Sequence, residues 1–409
     1  MEIELSQLSK IKLLEKCEKL GIIKYKSKNK TELIEMIIKK NDYIKSEILF
    51  ENDSNEIIDN KSENNEENNE ENEIIIIKTK KHKKYKKKKS FQLNAIDLFC
   101  GCGGMSKGLS DAGVNIIAGI DIWDKAINSY KQNFHHQAIC EDLTKLPPDV
   151  FDKLYNKTNK PIDLLVGGPP CQGFSIAGKR NTNDPRNSLF MEYVKYLNYF
   201  NPKAFIMENV IGILSMKTEK NEKVIDIILN ELSKNYNCIV TKLYASDFGV
   251  PQNRRRTIII GIRKDLEIIP ETPKSILSVE NRIPVKNILI SKNDVEKSYY
   301  LSEKALIGIQ NKKKRAKENG TGFGAQFLDF DKPSFTIPAR YWKDGYDALV
   351  KYSDTEIRRL TIVELMRIQS FPDDYILEGS KKEIIMQIGN AVACKFAYHL
   401  GKHIIKTLQ

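Results

Sequence analysis

From Phe91 onward, short apolar runs bounded by glycine and proline alternate with amphipathic stretches, a rhythm that few folds accommodate. The runs "AIDLF", "DLLVGG", "AFIMEN" and "TIIIGI" are apolar without a polar side, so each predicts a strand covered on both faces. Between them, residues 105–112, 124–134, 188–200 and 222–234 carry helical spacing. Buried strands alternating with helices predict an α/β fold on a mostly parallel sheet. No internal repeat interrupts the pattern.

The 409 residues, 41% of them hydrophobic, suffice for one large domain and an appendage. A formal charge of +12 favours a polyanionic partner, although a lysine run holds much of it. Seven cysteines without a C-x-x-C pair argue against a disulfide scaffold or a metal site and point to a reducing, intracellular setting, cytoplasmic or nuclear. The apolar run Ile74 to Ile77 is too short to span a bilayer, so no membrane role is expected. A monomer is expected.

Residues 1–40 predict two short helices, with Leu8, Ile11, Leu13, Leu14 and Cys17 on the first and Leu33, Ile34, Ile37 and Ile38 on the second. Gly21 turns the chain between them, and Thr31 suits the N-cap of the second. The pattern is similar to SAP-type helix-extended-helix modules, which often bind DNA; a merely packing helical pair is the alternative. Residues 41–90 predict a linker. Its stretch from Glu51 to Glu73 is too polar to offset its ordering entropy. Lys78 to Lys89 reads as a phosphate-backbone contact, a nuclear localisation signal or a solvated tether.

Three constellations carry chemistry. The first strand runs into Gly101, Gly103 and Gly104 and then a helix, where small residues let a ligand approach backbone N–H groups. A second strand ends at Asp121, placed to hold a ribose. Ser106 stands where a dinucleotide fingerprint has its third glycine, which weakens the case for NAD without removing it. In "GGPPCQGFS", Pro169 and Pro170 fix a turn and Gly167 and Gly168 clear space around Cys171, the cysteine best set to act as a nucleophile. Cys100 and Cys102 belong to the glycine loop, whereas Cys17, Cys140, Cys238 and Cys394 read as small buried apolar residues. Glu208 ends the next apolar run, and "QNRRR" follows as a basic loop before a strand.

These runs, "DLFCGCGG", "PPCQGFS", "MENV" and "QNRRR", stand in the order of the DNA (cytosine-5)-methyltransferase motifs, and the resemblance spans about residues 93–405. It implies a Rossmann-like methyltransferase fold with a small inserted target-recognition domain, S-adenosyl-L-methionine as methyl donor and double-stranded DNA as substrate. Phe99 would pack on adenine, Asp121 with Ile122 would hold the ribose end, Asp142 with Leu143 the adenine amino group, and Pro169, Asn390, Ala391 and Val392 would complete the pocket. Cytosine carbon 5 is a weak nucleophile, so a thiolate, here Cys171, must first add to carbon 6. Glu208 matches the acid at ring N3, with Asn209 bracing the loop. Gln252, Arg254 and Arg256 match the family's Q-x-R-x-R, with Arg254 suited to the cytosine O2 and the thiolate.

The segment Gln172 to Arg186 reads as a mobile lid whose Ser175, Lys179, Arg180 and Arg186 would meet phosphates around an extruded base. "RRLTIVELMRIQSFPDDY" resembles the ninth motif and "QIGNAVACKFAYHL" the tenth, giving a catalytic domain over 91–263 and 358–409. Residues 264–357 are the expected recognition domain, with Arg340, Tyr341, Trp342 and Lys343 as base-edge readers of a site of about four to six base pairs. An NAD oxidoreductase, a catalytically dead DNA-binding relative and a tRNA methylase are the competing classes.

Overall fold

The computed structural model describes residues 8–19, 29–34, 36–37, 91–156, 160–170, 188–218, 221–318, 320, 325–343 and 345–409. The chain divides into two units, Met1–Tyr85 and Lys86–Gln409.

In the smaller unit, helix α1 (Lys10–Lys19) and the helical residues 30–34 and 36–37 bury Leu13, Cys17, Leu33 and Ile37 together. Two expectations change here. Ile11 is exposed, because the buried stripe follows Leu13 and Cys17 at i, i+4 and leaves Ile11 off that face. Asn29, not Thr31, caps the second helix: Glu32 N–H donates to Asn29 Oδ1 at 3.0 Å, and Asn29 N–H donates to Glu32 Oε2 at 2.8 Å. That reciprocal pair satisfies two backbone donors at once, and Thr31, two residues later, already lies inside the first turn. Gly21, Ile38 and the linker lie outside the described residues.

The larger unit carries a seven-stranded sheet of β1 (Asn94–Leu98), β2 (Asn115–Asp121), β3 (Gln137–Cys140), β4 (Leu164–Gly167), β5 (Ala204–Val210), β6 (Tyr236–Tyr244) and β7 (Arg255–Arg263), ordered β3-β2-β1-β4-β5-β7-β6. The first five run parallel, and β7 lies antiparallel between β5 and β6. Helices α2 (Gly104–Asp111), α3 (Asp124–Asn133), α5 (Ser188–Phe200) and α6 (Val224–Leu232) fall on the helical spacings, whereas α4 (Pro148–Tyr155), which starts at a proline suited to a first helical turn, was not among them. Alternate strand residues serve opposite faces. Ile96, Leu98, Phe205 and Met207 pack under α4, α5 and α6, whereas Ala95, Val166 and Ile206 pack under α2 and the C-terminal α10 (Cys394–Leu408). Strand order reverses between β1 and β4, which opens a crevice at the carboxyl ends of the central strands.

Residues 264–393 hold short 3-10 turns, α7 (Glu303–Glu318), the hairpin of β8 (Leu349–Lys351) with β9 (Ile357–Arg359), α8 (Ile362–Ile368) and α9 (Lys381–Asn390). The expected boundary at 357/358 falls inside β9. Val285, Ile337, Tyr341 and Val350 share one core with Leu365, Ile388, Cys102 and Cys394, so this region is continuous in packing with the glycine loop. Arg358 and Glu364 form a fully buried bidentate pair, both contacts at 2.8 Å, and Glu364 also closes the capping box of α8 with Thr361. Ile290 N–H donates to the same carboxylate at 3.0 Å, tying the start of the region to its end.

Candidate active site

Glu208 emerges near the carboxyl end of β5, one strand over from the turn that holds Pro169. Arg256 pairs opposite Val210 in the antiparallel β5–β7 register, so it is the diagonal neighbour of Glu208 on the same face. Its Nε lies 2.5 Å from Glu208 Oε1, in a largely buried pair. Arg255, of opposite parity, turns to the other face, its guanidinium 6.0 Å from the Tyr244 ring centroid. Asn209 Nδ2 donates to Pro169 O at 3.1 Å, fixing the turn that precedes Cys171. Gly168 leaves room beside it: a Cβ there would stand 3.3 Å from Glu208 Oε2 and press on the carboxylate.

Two members of the Q-x-R-x-R run sit differently from expectation. Arg254 is 4% exposed, and its Nη atoms donate to Ile337 O at 3.4 Å and Gly389 O at 3.1 Å. Burial, then the nearby Arg256, push its pKa down to about 9, so it remains a cation at neutral pH. Gln252 is fully buried, donating to Ile368 O and Gln369 Oε1 and accepting from Ile337 N–H at 3.0 Å. Both side chains are spent on joining β7 to the recognition region and α9. The guanidinium facing the acid is that of Arg256.

At the other end of the crevice, β1 runs into Phe99, whose φ of 60° turns the chain into the glycine loop. The three glycines have different reasons. Gly101, at φ 54°, would place a Cβ in open space. Gly103 is needed by Phe134, Tyr375 and Tyr130 packed beneath it, and Gly104 by Val392 O, 2.1 Å from where its Cβ would stand. Of the three, Gly101 alone leaves the room for a ligand that all were expected to provide.

Asp121 accepts from Gly101 N–H and Trp123 N–H, each at 2.9 Å, and Ile122 beside it is 68% exposed. Asp142 is half-buried at the end of β3 and accepts from Thr144. Leu143 points its side chain into the core at 4% exposure, and Ala391 is also buried, so neither side chain is free for a ligand. Asn390 is exposed and Val392 half-buried against α2.

A profile of the C-5 cytosine-specific DNA methylases matches residues 93–406. The chain belongs to this family. The DNA methylase is 33% identical over 332 residues to the Type II methyltransferase M1.ScrFI of Lactococcus lactis subsp. cremoris, covering 79% of this chain and 80% of the relative. It is 47% identical over 176 residues to M.DdeI of Desulfomicrobium norvegicum, a match that spans 42% of this chain and 41% of that relative. Among solved structures it resembles a prophage-encoded DNA modification methyltransferase of E. coli, with a TM-score of 0.60 and 26% identity over 77% of this chain and 99% of that one. The methylase transfers a methyl group from S-adenosylmethionine to cytosine in DNA.

Cys171, Ser175, Lys179, Arg180 and Arg186 lie outside the described residues of the methylase. Arg340 is exposed and paired with Asp347 at 2.8 Å. Tyr341 is 2% exposed, its hydroxyl donating to Ala348 O and accepting from Leu360 N–H, so it is core and not a base reader. Cys140 is exposed at the end of edge strand β3 and Cys238 is half-buried on edge strand β6, so neither is the fully buried residue expected.

One group was missed altogether. Asp97 is buried in β1, where Ser106 Oγ donates to its Oδ2 at 2.6 Å; Tyr130 OH donates to Ser106 at 2.7 Å and meets His136 Nε2 at 2.7 Å. Burial, with a smaller push from Asp121, raises Asp97 to about 7. An acid inside an otherwise apolar strand was the available signal, and it was read only as part of a motif.

Proposed function

We propose that the methylase works through a covalent adduct between Cys171 and cytosine carbon 6, formed on a base flipped out of the duplex. The Glu208–Arg256 pair beside the Pro169 turn carries this reading. The thiolate of Cys171 adds to carbon 6 while Glu208 serves as the acid at N3, which makes carbon 5 electron-rich. Arg256, already held by Glu208, faces the ring carbonyl and the developing negative charge. After methylation at carbon 5, loss of the carbon 5 proton and departure of the thiolate restore the aromatic ring. Arg254, Gln252 and Asn209 act by positioning.

The residues around the glycine loop fit S-adenosylmethionine. Gly101 leaves its backbone approachable, Ile122 offers an exposed apolar surface, and Asp121 and Asp142 supply acceptors at the ends of β2 and β3. Phe99, Pro169, Asn390 and Val392 would line the same pocket. When bound, the cofactor supplies an electrophilic methyl group. Residues 264–357 would read a short duplex site, the lid residues from Gln172 would close on phosphates, and the N-terminal 90 residues would add DNA contacts without choosing sequence. Tritium from methyl-labelled S-adenosylmethionine is expected to appear in duplex DNA and, on bisulfite sequencing, at a cytosine of one short sequence. Transfer to tRNA alone would reject DNA as the substrate.

A further inference from the structure

Around the recognition region, cations are matched to acids: Lys286 to Asp331 and Lys292 to Glu356 at 2.6 Å, Lys332 to Asp329 at 2.9 Å, Arg340 to Asp347 at 2.8 Å and Arg367 to Asp373 at 2.6 Å. Others are not, Lys297 and Lys304 among them, and three of these unmatched cations, Lys343, Lys381 and Lys382, stand together. All three are exposed, and none has an acidic partner among the described residues. They are gathered instead over two half-buried rings. Lys381 Nζ stands 3.8 Å from the Tyr299 centroid, and Lys382 and Lys343 stand 4.5 Å and 5.9 Å from that of Trp342.

The patch comes from three separated stretches of chain: the 3-10 turn Lys297–Tyr299, the end of the turn Ala339–Trp342, and the first turn of α9. The fold therefore gathers like charges that lie far apart in sequence. An exposed cation–π contact is weak, which does not explain collecting three such cations. A chain of phosphates would, since each lysine placed on a phosphate releases a condensed counterion.

We infer that Lys343, Lys381 and Lys382, on their Trp342 and Tyr299 floor, form a phosphate-backbone clamp for duplex DNA beside the recognition segment. The clamp adds affinity without reading sequence, which moves Trp342 and Lys343 from the expected base-edge readers to backbone contacts. This rests on the DNA-methylase reading of the same chain. Its position also places a DNA contact and a cofactor-loop contact on one helix: α9 carries Lys381 and Lys382 at its start, and Cys102 Sγ donates to the carbonyl of Gln387 at its other end.

The test uses the full chain carrying K343Q, K381Q and K382Q, with W342A as a second variant. Duplex affinity is measured by fluorescence anisotropy over a range of salt, with S-adenosylhomocysteine binding and Tm as checks of folding. The triple variant is expected to lower the slope of log affinity against log salt by about three, roughly one per lysine, and W342A to weaken binding with little change in slope. The methylated sequence should stay the same in both. Equal slopes for wild type and triple variant would overturn the clamp, and a changed methylated sequence would overturn its independence of sequence. Wild type is assayed alongside; if it fails to methylate duplex DNA, the underlying reading fails instead.

Discussion

Arg256 and Glu208 meet across two antiparallel strands, Nε to Oε1 at 2.5 Å, while Arg254, two residues earlier, is turned onto the carbonyls of Ile337 and Gly389. The two arginines should therefore fail differently. Arg256→Ala is expected to slow methyl transfer by about 10²–10³-fold, the usual loss for a group facing developing charge, with little change in Tm. Arg254→Ala leaves buried carbonyls without donors and should cost about 1–3 kcal/mol of stability. Rate measurements at saturating DNA, beside thermal denaturation, separate them; the reverse assignment would restore the sequence-based choice of Arg254.

Cys171→Ser should abolish turnover and leave S-adenosylhomocysteine binding intact, because, Pro169 apart, the fitted cofactor residues lie on other loops. Duplex DNA with 5-fluorocytosine at the target should trap wild type as a denaturant-stable complex, since fluorine cannot leave carbon 5 as a proton. Measurable turnover by the serine variant would sink the covalent mechanism.

Asp97 is expected to make stability depend on pH. Its folded pKa of about 7 lies above the ordinary 3.8, so the folded chain holds the proton more tightly than the unfolded one. That contribution is fully present below the unfolded value and is lost as pH rises through about 7. Asp97→Asn, which mimics the protonated acid, should therefore gain relative to wild type between about pH 4 and 7 by an amount on the order of a few kcal/mol. Tm profiles of the two proteins running parallel over that window would refute the assignment.

The buried pair of Arg358 with Glu364 holds the recognition region to α8. Glu364→Gln should cost about 3–5 kcal/mol, because it strands a buried guanidinium. Replacing both partners, as Arg358→Met with Glu364→Leu, should recover much of that loss. Urea titrations of the single and double variants check this, and an equally unstable double variant would argue that hydrogen bonds to Ile290 and Thr361, not the charge pair, dominate.

The order of buried runs and turns along the chain determined the parallel sheet, its helices and the loops that carry the candidate site. Strand and helix periods are local properties, and so is the placing of Gly101, Pro169 and Glu208 at strand ends. Tertiary structure decided which side chains those loops bring together. Two arginines spaced by two residues share a parity, and only the insertion of β7 antiparallel beside β5 puts Arg256 opposite Val210 and next to Glu208. Gly103 and Gly104 read as ligand space, yet Tyr130 and Tyr375 reach the first from 27 and 272 positions away along the chain and Val392 reaches the second from 288. Tyr341 and Trp342 are neighbours in sequence, but packing against Ala348 and Leu360 buries one while Lys382 from α9 covers the other. Local period says which residues share a face; what that face meets depends on contacts between segments far apart in the chain, and those exist only once the fold has closed.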